Sequence, residues 1–197
     1  MSACVNWPIP PDVVLEHRAT TLTQARGQDA PALFSVLDED SVWTHVRGRP
    51  AEIADLTRTI AQAREQGRWM WVVRTAGEVV GTTSYLDVSV VDARLEIGFT
   101  AYASSVWGTT VNPACKLLLM SWAFEAGGFE RVQLKTDIRN LRSQAAIERL
   151  GARQEGVLRC YQRRQDGSLR DTVMYSVLAQ EWPAVRAGLL DRLAAPR

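Results

Sequence analysis

Two spacings of apolar residues alternate along this chain, and the order of their alternation outlines a fold. Leu15 to Leu22 is a strand-like run, followed by two stretches of helical spacing, about Asp29 to Leu37 and Ala51 to Gln66, separated by Gly48-Arg49-Pro50. Trp69 to Val73 and Val79 to Leu86 return to β-rich composition, and Ala76-Gly77-Glu78 between them marks a tight hairpin. Arg94 to Tyr102 adds a strand. From Val111 to Ala126 the period changes: Val111, Cys115, Leu118, Trp122 and Ala126 form one helical stripe that Gly127-Gly128 ends. A strand at Arg131 to Thr136 and a short helix at Asn140 to Leu150 come next. The runs Val157 to Arg163 and Asp171 to Leu178 flank an Asp166-Gly167 turn, and a helix from about Glu181 to Leu193 closes the chain.

Strand, helix, strand, helix from Arg94 onward is the order in which a sheet acquires parallel neighbours. The Pro-rich opening, Asn6 to Pro11, lacks the amide donors of a helix and reads as a lead-in. With no internal repeat or linker, the pattern predicts one α/β (α+β) domain over residues 12–180, with residues 181–197 packed on it as a C-terminal helix.

Composition narrows the chemistry. Of 197 residues, 46% are apolar and 23% charged, an ordinary globular balance. Twenty-three basic against twenty-two acidic residues leave a charge of +1, so no general field draws the chain to nucleic acid or to a membrane surface. Any affinity for phosphate must be local. No apolar run reaches the ~18 residues of a membrane span, and Met1 to Pro11 does not read as a signal peptide, so a cytoplasmic location is expected. Cys4, Cys115 and Cys160 read as reduced thiols, and His17 and His45 are too few for a metal site or a catalytic triad.

The most informative stretch runs from Leu95-Glu96-Ile97-Gly98-Phe99-Thr100 through Val106-Trp107-Gly108-Thr109-Thr110-Val111-Asn112. A strand there passes through a Gly-containing turn directly into a helix. The first amides of a helix lack intrahelical partners and carry partial positive charge, so a pyrophosphate can bind there without a lysine.

These motifs, with Ala123-Phe124-Glu125 and Asn140-Leu141-Arg142-Ser143-Gln144-Ala145-Ala146, resemble the RimJ/RimL branch of the GNAT acetyltransferases, in family order over about Leu15 to Leu178. The resemblance implies a mixed, mostly antiparallel sheet of about seven strands with a parallel pair at the cofactor cleft. It implies acetyl-CoA as co-substrate, no metal, and a primary amine as acceptor, either a small molecule or a protein N-terminus; a homodimer is compatible with it. Phe99 and Thr100 would offer backbone hydrogen bonds to the pantetheine arm, and the amides of Trp107, Gly108, Thr109, Thr110, Val111 and Asn112 would take the pyrophosphate. One departure stands out: Thr110 occupies the place of a second family glycine, which works if its φ is negative.

Amine acetylation needs a proton acceptor and stabilisation of charge on the thioester oxygen. Glu96 is the candidate base, against the alternative of a strand-edge carboxylate paired with Arg94 or a neighbour. Asn140 and Ser143, three apart in the first turn of a helix, would face the cofactor, Ser143 giving a proton to the leaving thiolate, although Asn140 also suits an N-cap. Lys116 competes between a phosphate contact and a solvated helix face, Trp69 and Trp71 read as core, and His45 and Trp43 as borders of an acceptor site. The alternative to catalysis is a non-catalytic acyl-CoA sensor on the same fold. With no histidine evident beside any cysteine, direct attack in a ternary complex is expected rather than an acetyl-enzyme.

Overall fold

A computed structural model describes residues 5–195, so Cys4 lies outside the described residues. Strands β1 (Val14–His17) and β2 (Thr20–Gln24) pair as an antiparallel hairpin, where the sequence had indicated one strand over Leu15 to Leu22. The turn carries no glycine or proline. Arg18 supplies it at φ +52°, and its guanidinium donates to the carbonyl of Leu193, so a tertiary contact takes the place of local turn chemistry. Three helices follow: α1 (Ala30–Leu37), the one-turn α2 (Asp40–Trp43) and α3 (Ile53–Ala63).

Strands β3 (Trp69–Thr75), β4 (Glu78–Ser89) and β5 (Arg94–Tyr102) form a meander. Helix α4 (Val111–Ser121) runs into a wide π turn at Trp122–Ala126. That turn shifts the helical register, so Ala126, expected on the buried stripe, faces solvent while Trp122 and Ala123 stay inside. Strand β6 (Arg131–Asp137), helix α5 (Leu141–Glu148), strands β7 (Arg153–Arg163) and β8 (Leu169–Leu178) and helix α6 (Trp182–Ala194) complete the chain.

The strands make a single eight-stranded sheet in the order β1-β2-β3-β4-β5-β6-β8-β7. The extra strand over the expected seven comes from the β1–β2 hairpin. Every neighbouring pair is antiparallel except β5 and β6, which α4 connects. One face packs on α4 and α6 through Trp71, Tyr85, Leu119, Met120, Tyr175 and Leu189. The other packs on α1 and α3 through Leu33, Leu56, Ile60, Met70 and Val72. Trp7 of the lead-in joins the first core, edge-on to Trp69 at 4.5 Å, and Tyr85 Oη donates to the Leu119 carbonyl at 2.5 Å. Trp69 and Trp71 are therefore core.

Two irregularities of β5 position the site. Its parallel pairing with β6 covers Arg94–Glu96 against Arg131–Gln133, after which the strands part and one backbone edge of β5 opens into a gap. On its other side the register with β4 jumps from Ser84↔Gly98 to Thr82↔Ala101, a bulge at Phe99–Thr100 with Phe99 at φ +47°. A bulge bends its strand and re-aims the residues that follow, at a cost of about 1 kcal/mol for a non-glycine in the left-handed region. The guanidinium of Arg68 lies 4.4 Å from the centre of the Phe99 ring and holds it.

Candidate active site

The gap between β5 and β6 is the floor of a cleft of about 490 Å³, walled by the Trp107–Thr109 turn, the first turns of α4 and α5, and the His45–Arg47 segment after α2. Its volume is within the usual range for small-ligand sites. Glu96, Phe99, Thr100, Trp107, Gly108, Thr109, Asn112, Asn140 and Ser143 all line it. Thr110 and Val111 do not: Val111 is buried in the core, and Thr110 precedes the helix at φ −75°. That negative φ is the condition under which threonine can replace the family glycine. Trp43 lies outside this cleft, its indole donating to the Leu37 carbonyl at 2.6 Å, whereas His45 lines it.

The turn into α4 is shaped by Gly108 at φ +73°, with open space where a Cβ would stand. Its amides divide into two sets. Trp107 N donates to Ser104 O, Thr109 N to Val106 O, and Val111 N to Thr109 Oγ1 at 3.3 Å. Among the described residues, the amides of Gly108, Thr110 and Asn112 donate to no protein acceptor. The expected donor set is thereby cut by half, and Pro113, inside the first turn, contributes none. Arg142 stacks on Trp107 with 3.7 Å from guanidinium to ring centre, tying the turn to α5.

Lys116 corrects the solvated reading of its helix face. It is 4% exposed, lines the cleft, and donates to Thr100 Oγ1 at 3.1 Å, which in turn meets Thr83 Oγ1 at 2.8 Å. Burial pulls its ammonium down to about 8. Among the described residues no carboxylate pairs with it.

Glu96 is neither at a strand edge nor paired with Arg94, whose partners are Asp87 and Asp92. It sits where β5 and β6 part, 2% exposed, with Lys135 Nζ 2.7 Å from Oε2. That contact is close but poorly directed, leaving Oε2 without an aligned hydrogen-bond donor among the described residues. Burial raises the carboxyl above its ordinary range, and Lys135 opposes the rise. Gly98 makes the slot: a Cβ there would stand 2.8 Å from Glu96 Oε1.

Asn140 caps α5, its Oδ1 accepting from Ser143 N at 3.0 Å, while Ser143 remains on the cleft wall. Burial lowers His45 below its ordinary value, against the pull of Asp137. Cys115 is fully buried and raised by burial to about 11, and Cys160 is exposed on β7 outside the cleft lining. Sequence reasoning missed Lys135 and Arg170 in the lining; the Gln133-Lys135-Asp137 alternation was a readable signal for the first, and nothing local marks the second.

A strand bulged beside a parting parallel pair, a Gly-containing turn and a helix start on one cleft match a known domain: the acetyltransferase (GNAT) domain profile fits residues 20–153. The chain belongs to the GNAT acetyltransferases. Among relatives, an uncharacterized N-acetyltransferase of Bacillus subtilis, YoaA, is 27% identical over 172 residues, covering 84% of this chain and 96% of its own. A T. thermophilus protein assigned as an acetyltransferase is 37% identical, with TM-score 0.85 over 95% of this chain and 100% of that one. Mycobacterium smegmatis RimJ in complex with CoA-disulfide shares the fold, with TM-score 0.78 and 24% identity over 92% of this chain and 95% of that one. No helix of the described residues is long and apolar enough to cross a membrane.

Proposed function

We propose that this GNAT chain transfers an acetyl group from acetyl-CoA to a primary amine by direct attack within a ternary complex. The single observation that carries the reading is the buried Glu96 carboxylate at the point where β5 and β6 part, on the same cleft as the Gly108 turn. The fit to CoA rests on the buried Lys116 ammonium without a carboxylate partner, the free amides of Gly108 and Asn112, and the open concavity at Gly108. RimJ, similar in fold, has been crystallised with a CoA derivative. Acetyl-CoA supplies an activated acetyl carbonyl and a thiolate leaving group.

The chain's own groups then divide the work. The free backbone edge of β5 beyond Glu96 aligns the pantetheine arm and offers amides toward the thioester oxygen. Lys116 and the turn amides hold the phosphates. Glu96 accepts the ammonium proton, and its raised pKa makes it a stronger base than an exposed carboxylate. Ser143 donates to the departing thiolate. Cys115 is kept protonated and buried, so the amine itself is the nucleophile.

The test has two parts. Acetyl-CoA raises the melting temperature of the protein by mass action, and CoA thiol is released when an acceptor amine is added. Binding without release across a broad amine panel would mark an acyl-CoA sensor instead; an absent shift at millimolar acetyl-CoA would remove the cofactor site itself.

A further inference from the structure

The β-face that carries Glu96 also holds two buried polar atoms with no hydrogen-bond partner among the described residues, Arg170 Nε and Thr172 Oγ1. Strand parity puts both on the sheet face that carries Glu96, Arg170 lying two residues past the last β6–β8 pair. Arg170 and Thr172 are alternate residues of β8, Thr172 stands opposite Asp137 of β6, and Lys135, two residues from Asp137, reaches Glu96. Arg170 is 9% exposed, lines the cleft, and is close enough to Glu96 to feel its charge.

Asp137 attracts Arg170 through space but makes its direct bonds elsewhere. Asp137 is held by Arg164 through Nε–Oδ2 at 2.6 Å and Nη2–Oδ1 at 2.9 Å, and by the Arg139 amide at 2.9 Å. Among the described residues Arg170 has no ion pair. A buried guanidinium without an anion is expensive, and its planar fork matches a carboxylate in two parallel hydrogen bonds. Around it the cleft is cationic: Arg47 and Lys135 line the same end, and the one carboxylate of the lining, Glu96, already faces Lys135.

We infer that the acceptor amine carries its own carboxylate, which the Arg170 guanidinium receives while the amine reaches Glu96. Resting on the function proposed above, this narrows the acceptor to amphoteric amines: a free amino acid, or an amino terminus followed by an acidic side chain. Polycationic amines meet like charge at Arg47, Lys135 and Arg170 and are rejected.

The experiment compares kcat/KM for the twenty amino acids with their carboxamides, for an alanyl-aspartate amide with an alanyl-alanine amide, and for linear polyamines. The expected ratio of acid to carboxamide is roughly 10- to 100-fold, expressed in KM, because the carboxamide leaves Arg170 without its anion. Arg170→Gln brings that ratio toward one, and Arg170→Lys restores part of it. Preference among free amino acids places the carboxylate on the α-carbon; preference confined to the aspartyl peptide places it on the neighbouring side chain; either result supports the inference. A ratio near one in the native enzyme, a ratio unmoved by Arg170→Gln, or polyamines as the best acceptors would overturn it. If no acid is acetylated, N-acetyl amino acids are added to the CoA complex, and a thermal shift no larger than that of their carboxamides also overturns it. CoA's own thermal shift judges the cofactor site separately, so failure of the two readings is distinguishable.

Discussion

Replacing Glu96 by glutamine keeps the side chain's shape in the slot beside Gly98 and removes the proton acceptor. The carboxyl is 2% exposed, with one close cation, Lys135 at 2.7 Å. Lys135 is itself 17% exposed, so its ammonium keeps access to solvent when the charge opposite it disappears. The expected loss is that of a general base, roughly 10²- to 10⁴-fold in kcat, or about 3–5 kcal/mol of transition-state stabilisation, with acetyl-CoA affinity little changed. A pH profile makes the attribution specific. In the native enzyme kcat/KM rises as Glu96 deprotonates, at a pH above the ordinary carboxylate range because burial raises it, and in Glu96→Gln this acid limb is lost. Stability moves the other way. A carboxyl that holds its proton more tightly folded than unfolded contributes stability below the unfolded value of 4.5 and loses it as pH rises through the folded value. Glutamine never ionises, so the variant melts no lower than the native protein at neutral pH. Thiol-release kinetics and calorimetry across pH check both. A full-rate variant, or one that keeps the acid limb, would refute Glu96 as the base.

Lys116→Met should raise the melting temperature by relieving a buried unpaired ammonium while weakening CoA binding about tenfold. Native stability should also climb with pH between about 8 and 10.5, where the folded chain has lost a proton that the unfolded chain still holds, and the variant's calorimetric profile should be flat there. Gly108→Val should cost about 1–2 kcal/mol, from φ +73° with no steric clash elsewhere, and weaken CoA in titration calorimetry. Glu155, held down to about 2 by two hydrogen bonds from Arg131 at 2.6 and 2.5 Å, contributes stability above its unfolded 4.5 that is lost as pH falls toward 2, and Glu155→Gln should flatten that stretch of an acid-denaturation curve.

Periodicity alone revealed the meander, the crossover helix and the closing hairpin, because each is bounded by glycine or a change of spacing. The β1–β2 turn was invisible because Arg18 is held by Leu193, which is distant in sequence. The π turn at Trp122–Ala126 adds a residue that no period anticipates. At the site, the strand-turn-helix junction and Glu96 were legible as motif and chemistry. Lys116 was not, since what it meets, Thr100, comes to it from strand β5, distant in the local pattern of its helix. Arg170 was not either: its place in the cleft lining comes from how β8 packs beside β6, which no local pattern marks.

The central claim is direct acetyl transfer at this cleft, and intact-protein and product mass spectrometry with isotope-labelled acetyl-CoA tests it most directly. The expected result is labelled acetyl-amine and free CoA in equal amounts once an acceptor is added, with no label on the protein beforehand. Stoichiometric label on the protein that an amine then removes, or no product with any amine from a protein that binds acetyl-CoA, would contradict it.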